Sequence, residues 1–553
     1  MADSWQASES DPSVIIVGLG PTGATLANIL GQRGVSTLCI ERDTKISDAP
    51  RAGALDGDAL RVWQSLNLLD EIKRDLTLGQ AAQFVDADQK LFLEVHPSEY
   101  PYGCDTLAFF HQPTLSETLR SASRRFPHVQ QLLGHELKTL QCREDYVEIS
   151  IATTGEGSEV RKIRAPWLLA CDGGRSIVRQ ILGISFPGTS YVQRWLVADA
   201  EAESPPTNPV FRFVCDPARP QVLTYLAKNH YRWEWMLLPG DDPSDITNPA
   251  YVRELLKQRI GLDGVRIRRV AVYTYHSRVA SSWRHRRVLL LGDAAHVSPP
   301  FAGQGVSNGV RDAANVGWKL DLVVRGAARE RLLDSYEVER RRQVRRLNRV
   351  ALWSRILVQL RNPSLAMIRN GLLRLLNRWP WFKRMIRENR LVYPARLRRG
   401  VVATGFLLDP IGRRNGQFLP QPKIKSVAGV EMLLDETLGN GFAVLGWECD
   451  PREFVHDKHH QALERLGTTY VELRAPSHWD TTAQETGGEH TTIGYDVTGQ
   501  MERWFGSRRS VAIIRPDRYV FAICRPTRLP QTTGTLFRHL ALTVNGDTRA
   551  RSA

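Results

Sequence analysis

The sequence predicts an α/β fold, and three segments predict it. Ser13–Val17 runs into Gly18-Leu19-Gly20-Pro21-Thr22-Gly23, Ala165–Ala170 into Cys171-Asp172-Gly173-Gly174-Arg175-Ser176, and Val288–Leu291 into Gly292-Asp293-Ala294-Ala295. Each is a short apolar run that ends in a glycine-containing turn and is followed by a helix-forming stretch. Strands apolar at nearly every position suit a parallel sheet with helices on both faces.

The first segment carries the most local information. Gly18 permits a tight turn, Gly20 lets the backbone approach a pyrophosphate, and Gly23 lets the helix pack on the strand, with Pro21 and Thr22 between them. Ala24–Leu30 continues as helix. A second strand, Ser36–Ile40, ends at Glu41 and Arg42, about twenty residues on, where a carboxylate suits an adenosine ribose. This is the order of a Rossmann-like dinucleotide site. In the third segment an apolar strand delivers Asp293 towards a glycine-rich loop, Pro299-Pro300-Phe301-Ala302-Gly303-Gln304-Gly305, at a helix N-terminus. That arrangement suits a cofactor with ribose-type hydroxyls and an electron-accepting ring, a flavin. Two distant segments on one cofactor fit an extended FAD better than NAD. The middle segment reads on its own as a βα turn with Ser176 as helix N-cap.

Between Pro187 and Ser282, short runs such as Val210–Val214 and Arg232–Met236 alternate with period two and read as a sheet with one apolar face. Over a flavin ring such a sheet forms a pocket for an aromatic substrate. Trp233 and Trp235 read as core residues, and Arg232 as either an exposed arginine or a partner for a substrate carboxylate. Arg-rich amphipathic helices extend to about Leu391, broken at Asn362-Pro363 and Trp379-Pro380. They are expected to pack on the flavin domain or a second subunit, a homodimer, in preference to a membrane. From Val401 the pattern returns to strands, with Phe442–Leu445, Thr469–Val471 and Val511–Ile514 the clearest.

Composition limits the remaining classes. The chain has 553 residues, 42% of them hydrophobic and 24% charged, which corresponds to ~3 to 4 domains. No run approaches the ~18 apolar residues of a membrane span. The N-terminus has neither a basic nor an apolar leader region. Seven scattered cysteines without a CxxC pair provide neither a metal cage nor a disulfide framework, so no metal and a cytoplasmic location are expected. Cys449 has no partner for redox exchange. The net charge of +15 is concentrated between Arg325 and Arg399, interleaved with Glu330, Glu337 and Glu339. A solvated helical face accounts for it without nucleic acid; an anionic partner, including a membrane surface, is the alternative.

The order GxGxxG, CDGGRSIVR and GDAAHVSPPFAGQG resembles the three fingerprints of the single-component FAD-dependent aromatic hydroxylases. The segments PRAGALDGDALRVWQSLNLLDEI, FHQPTL, RWEWMLLPG, LGWECDP and RPDRYVFA are similar to the branch of that family acting on 3-(3-hydroxyphenyl)propionate. The resemblance runs from about Val14 to about Phe521. It implies a Rossmann-like FAD-binding domain (1–85, 110–186, 283–345), an inserted β-sheet substrate domain (86–109, 187–282), a helical connection (346–400) and a thioredoxin-like C-terminal domain (401–553). It implies that Gly18, Gly20 and Gly23 hold the FAD pyrophosphate and Glu41 the ribose, with Arg51 and Gln112 along the pyrophosphate and ribityl chain. Asp172 and Gly173 would serve FAD and the approach of NADH or NADPH, and Asp293 the ribityl portion. Pro299 to Gly305 would lie beside the isoalloxazine, with a Pro299 or Pro300 carbonyl facing the substrate hydroxyl.

The implied reaction takes hydride from NAD(P)H and inserts one oxygen of O₂ into a phenolic acid, giving a 2,3-dihydroxy product from 3-(3-hydroxyphenyl)propionate or 3-hydroxycinnamate. Phe301, Ala302 and His111 depart from the residues expected in that branch and bear on the substrate. The rivals are hydroxylation of another phenol, a flavin-dependent halogenase, suggested superficially by Trp233-Glu234-Trp235, and a flavin-binding protein without turnover. His296 reads as a loop-packing or hydrogen-bonding residue.

Overall fold

The computed structural model describes residues 11–48, 52–98, 100, 102–154, 160–201, 211–227, 229–242, 246–260, 266–392, 396–403, 411–478 and 491–542. The chain divides into two compact units. The first comprises Met1–Tyr100, Asp105–Ala313 and Val344–Tyr393; the second comprises Pro101–Cys104, Ala314–Gln343 and Pro394–Ala553.

The first unit contains the sheet expected from the three segments. Its order is Arg284–His285, Val288–Leu290, Trp167–Ala170, Val14–Val17, Thr37–Glu41 and Val129–Leu133, parallel throughout except at the Arg284–His285 edge. Val14–Val17 pairs in register with Trp167–Ala170 on one side and Thr37–Ile40 on the other. Parallel pairing forces all their carboxyl ends to one edge of the sheet. The turns at Gly18, Glu41, Asp172 and Gly292 therefore meet there, although they are far apart in sequence.

A second, eight-stranded sheet has the order His296–Val297, Arg266–Val279, Gly188–Glu201, His230–Met236, Gln221–Ala227, Phe211–Val214, Ala82–Val85 and Leu91–Val95. Its membership moves the expected boundaries. Ala82–Val85, assigned to the cofactor domain by a boundary after residue 85, pairs in parallel with Phe211–Val214. Ala108–Phe110, expected largely with the substrate sheet, pairs with Ala54–Leu55 and Leu76–Thr77. These partners are set by long-range edge pairing, which local periodicity does not report. The expected helix breaks are real: Pro363–Leu376 starts after Asn362, whose side chain accepts from Leu365 N at 3.0 Å, and Pro380–Arg387 starts after Trp379. Each proline sits in the first turn, where its missing N–H costs nothing. The helical stretch expected as one connection, 346–400, is split between the two units. Among the described residues no helix is long and apolar enough to cross a membrane.

The second unit is built on a seven-stranded sheet, ordered Glu431–Leu433, Lys423–Ser426, Thr491–Asp496, Thr469–Arg474, Ala443–Trp447, Ser510–Ile514 and Val520–Cys524. Period-two alternation divides its strands between two cores: Ala443, Leu445 and Trp447 enter one, and Val444 enters the other with Val511, Ile513 and Phe521. Within this unit Glu339, fully buried, accepts from Lys319 Nζ (2.9 Å), from Arg515 Nη1 and Nη2 (3.0 and 2.9 Å) and from the Val401 amide (2.7 Å). Arg515 also pairs with Asp517 at 2.6 Å. Burial opposes the Glu339 charge, but Arg515 and Lys319 override it and hold the carboxyl well below its ordinary 4.5. Burial draws Lys319 down to about 8, so it keeps its charge at neutral pH.

Glu339→Gln leaves Arg515 and Lys319 without their buried counter-charge and is expected to destabilise this unit by ~3 to 5 kcal/mol in chemical denaturation. Because the folded carboxyl lies below its unfolded value, its contribution is present above pH 4.5 and is lost as pH falls towards the depressed folded value. The Gln variant should therefore show a weaker acid dependence of stability than the parent; an unchanged acid limb counts against this role.

Candidate active site

The first glycine turn is shaped by backbone proximity. Cys171 N donates to Val17 O at 2.7 Å and Gly18 N to Ile40 O at 2.8 Å. Gly18 has φ +96°, and a Cβ there would lie 2.5 Å from the Cys171 carbonyl oxygen; one at Gly23 would lie 2.0 Å from Gly18 O. Gly20 differs, because a Cβ there meets nothing within 4 Å. Its open side faces a cavity of about 420 Å³, and the helix Pro21–Gln32 begins beside it with no side-chain cap and no acid in its first turn. An uncapped positive helix end on a cavity suits an anion such as a pyrophosphate.

Around this turn the structure brings together most of the residues named from sequence. Gly18, Gly20, Pro21, Thr22, Glu41, Arg42, Gln112, Asp172, Gly173, Arg232, Asp293, Pro300, Gly303, Gln304 and Gly305 line the cavity. Gly23 lies behind the lining as a packing residue, Pro299 is buried at the base of its loop, and Arg51 lies outside the described residues. Glu41 is committed partly to the fold: it accepts from Leu19 N (2.7 Å) and Asp43 N (3.1 Å) and pairs with Arg120 (3.3 Å). Arg120, which sequence reasoning did not single out, also donates to Leu19 O at 3.0 Å and so braces the glycine turn. Gln112 accepts from Ala52 N at 2.9 Å.

Asp172 accepts from Val178 N at 3.1 Å through Oδ2, while its buried Oδ1 has no hydrogen-bond partner among the described residues. Burial raises its carboxyl pKa. A buried acceptor left unsatisfied beside a cavity is costly unless a bound group supplies a donor. Ser176 caps the next helix as expected, accepting from Arg179 N at 3.0 Å. Arg179, also missed, donates to Ala294 O (2.9 Å) and Gly174 O (2.8 Å), tying the second turn to the third.

In the third turn Gly292 has φ +58°, and a Cβ there would lie 2.6 Å from Thr22 Oγ1. Asp293 projects from this turn, exposed at the cavity. His296 is a buried hydrogen-bonding residue, 2.7 Å from Asp312, which also accepts from Gly292 N at 3.0 Å. The Pro300–Ala302 turn ends at Gly303 in the left-handed region (φ +63°), and the helix Gly305–Val324 follows. Arg311 on that helix binds Gln304 (3.1 Å), Asp58 (3.0 Å) and Asp56. Burial pushes Asp58 up to about 6, with Arg311 opposing. Arg311 meets Asp58 and Asp56 across 253 and 255 residues of sequence, a pairing that no local motif reports.

The eight-stranded sheet supplies the apolar wall through strand alternation. Phe211, Phe213, Val222, Thr224, Arg232 and Glu234 face the cavity. Leu223, Tyr225, Tyr231, Trp233 and Trp235 face a separate core on the other side. The two tryptophans are thus core residues, as expected. Phe301 comes from the loop side and packs edge-on to Trp195 (5.7 Å) and Tyr275 (5.8 Å). His111 stacks on His230 at 3.9 Å. Arg232, expected either as an exposed arginine or as a partner for a substrate carboxylate, is buried, and its Nε and Nη2 bind both oxygens of Asp199, at 2.8 and 3.1 Å. Beside it, Tyr275 Oη donates to Glu234 Oε2 at 2.6 Å, and burial raises the pKa of both groups.

Comparison with known proteins agrees with this geometry. The family model described as FAD binding domain matches residues 11–351, and the HcaD C-terminal domain matches residues 416–539. A 3-(3-hydroxy-phenyl)propionate/3-hydroxycinnamic acid hydroxylase from Mycobacterium sp. (strain JLS) is 35% identical, over 99% of this chain and 95% of the relative. The Escherichia coli (strain K12 / DH10B) protein of the same name is 35% identical, over 96% of this chain and 94% of its own length. Among solved structures, the flavin-dependent monooxygenase PieE in complex with FAD and substrate superposes with a TM-score of 0.79 at 21% identity, covering 97% of this chain and 100% of its own. Aklavinone-11 hydroxylase with FAD and aklavinone gives 0.77 at 21% identity, with the same coverage. At that identity these two speak for the fold, whereas the full-length relatives speak for descent. With its glycine turns, carboxylates and aromatic wall gathered on one cavity, and its similarity to these hydroxylases extending over almost the whole chain, the protein belongs to the FAD binding domain family and is an FAD-dependent hydroxylase of the flavoprotein monooxygenase kind.

Proposed function

We propose that the enzyme hydroxylates 3-(3-hydroxyphenyl)propionate or 3-hydroxycinnamate to the 2,3-dihydroxy product, with NADH as reductant and O₂ as oxygen donor. The observation that carries this reading is one cavity joining the uncapped helix end at Gly20 to the aromatic wall at Phe211, Phe213 and Phe301, in a chain similar throughout to hydroxylases of that name. Bound FAD supplies the acceptance of hydride and the transfer of oxygen to the ring. The protein's task is to bind, orient and exclude water. Gly18, Gly20 and the Pro21 helix end hold the pyrophosphate, Glu41 and Arg42 the adenosine end, and Gln112 the connecting chain. Asp293 accepts from the ribityl hydroxyls, and Asp172 offers its open Oδ1 to a cofactor donor. The start of the Gly305–Val324 helix, which has no acid in its first turn, favours negative charge on the flavin by ~0.3 to 2 kcal/mol.

The substrate ring lies on the apolar wall, with its hydroxyl towards the Pro299–Pro300 turn. For the side-chain carboxylate, Arg232 acts together with its neighbours: Asp199 faces both Arg232 and, at 4.0 Å, Arg269. Arg232, which lines the cavity, meets the substrate anion with a guanidinium oriented by Asp199. The C-terminal unit reads as thioredoxin-like. In support, Thr469–Arg474, Ala443–Trp447, Ser510–Ile514 and Val520–Cys524 lie in that order with the third antiparallel to the second. Burial pushes its Cys449 thiol up to about 12, which disfavours exchange chemistry.

Because a Cβ at Gly20 strikes no protein atom, Gly20→Ala should fold with an unchanged melting temperature as apoprotein while losing roughly tenfold or more in FAD affinity. Gly18→Ala should fail to fold properly, since its Cβ meets backbone. Asp293→Ala should lose FAD affinity by ~1.5 to 3 kcal/mol in the folded fraction. Flavin titration beside thermal unfolding checks all three, and a Gly20→Ala protein that binds FAD normally removes the pyrophosphate from this turn.

Steady-state turnover with product identified by mass tests the substrate. The propionate should give a dihydroxy product in near-stoichiometric yield on NADH; peroxide alone, with efficient hydroxylation of a phenol lacking the acid, refutes the assignment. In the pair Arg232→Met with Asp199→Asn, which removes both buried charges together, KM for the propionate should rise roughly tenfold. The acid-free phenol should be unaffected; an equal loss for both would make the arginine a brace only.

A further inference from the structure

The helix Pro363–Leu376 and its continuation Pro380–Arg387 turn apolar side chains outward. Leu365, Ile368, Leu372, Leu375 and Trp379 recur at three- and four-residue spacing and are all more than half exposed, Ile368 at 61%. That spacing places the first four in one stripe along the helix surface, and Trp379 follows as the N-cap of the next helix. Met367 and Trp381 beside it are 72% and 64% exposed. The opposite face is already occupied. Ala366, Arg369 and Asn370 are buried there, Arg369 donates to Leu357 O (2.6 Å) and Cys215 O (3.0 Å), and Leu373, Phe382 and Ile386 pack on the core beneath the substrate sheet. The outward stripe is therefore separate from the face that packs on the core. Contiguous exposed apolar surface of this kind marks a site of association.

The charge around the stripe selects the occupant. Between Glu339 and Glu388 the sequence contains no Asp or Glu, while arginine recurs throughout, and Arg361, Arg378 and Lys383 are exposed beside the stripe. A symmetric contact with a second copy would set this cationic border against itself. A nucleic acid would engage the cations but leave Trp, Ile and Leu in water. An anionic bilayer satisfies both: tryptophans sit at headgroup level, leucines enter the acyl boundary, and basic residues meet the negative surface. No described helix is long and apolar enough to cross. We propose that this face docks the enzyme on an anionic lipid bilayer, with the two helices lying in the plane of the interface.

Flotation of the FAD-loaded full-length protein with vesicles of phosphatidylcholine, with and without phosphatidylglycerol, tests this. The protein should float with the anionic vesicles, be released by high salt, and stay behind with pure phosphatidylcholine. Leu372→Ser with Leu375→Ser should weaken binding roughly a hundredfold, about tenfold for each buried leucine, and Arg378→Gln with Lys383→Gln should weaken it by about tenfold or more. Both variants should keep the flavin spectrum and turnover in solution. The proposal is overturned if the parent fails to float with anionic vesicles, or if the leucine pair binds them unchanged, which would reduce the effect to net charge. It is also overturned if sedimentation shows a dimer that the leucine pair converts to monomer, which would assign the stripe to a second copy.

Discussion

The site depends on the approach of two backbones, Val17–Gly18 and Cys171–Asp172. With Cys171 N on Val17 O at 2.7 Å, the chain at Gly18 passes so close to the Cys171 carbonyl that only a hydrogen fits. That contact sets the first turn against the second. Arg179 then carries the constraint to the third turn through Gly174 O and Ala294 O, and Thr22 packs against Gly292 from the first helix. The cavity is the space these three turns leave at the carboxyl edge of the sheet, and its polar inventory follows from which residues end each strand.

The substrate wall has a different origin. On His230–Met236 the alternation of the strand separates Arg232 and Glu234, which face the cavity, from Tyr231, Trp233 and Trp235, which anchor a core behind it. A sheet that must carry charged groups on one face stays fixed by burying aromatics on the other. The charged groups are themselves paired, Arg232 with Asp199 and Glu234 with Tyr275. Unpaired, each would lose the counter-interaction that offsets its burial. The wall is thus preorganised before any substrate arrives.

The two units use buried charge in unlike ways. In the second, Glu339, Lys319, Arg515 and Asp517 form a cluster of buried, mutually paired charges, and its effect is on stability. In the first, Asp172 keeps an acceptor open and Asp293 is exposed beside the glycine loop, both at the cavity. The outward stripe on Pro363–Leu376 belongs to neither use, since its side chains are apolar and exposed.

The sequence by itself determined the strand, turn and helix identities at the cofactor edge, since those rest on local rules. Gly18 and Gly23 must lack a side chain, Ser176 must cap, and Pro363 and Pro380 must begin helices. It also identified Glu41, Asp172 and Asp293 as the carboxylates that strand ends carry to that edge. Tertiary structure alone decided the pairing of everything else. Arg120 on Glu41, Arg311 on Asp56 and Asp58, and Asp199 on Arg232 are meetings of residues distant in the chain, invisible to periodicity. The parallel pairing of Ala82–Val85 with Phe211–Val214, which shifts the first domain boundary, has the same cause. Local sequence specifies backbone conformation and the face a side chain takes; which partner waits across that face is set only when distant strands find their register.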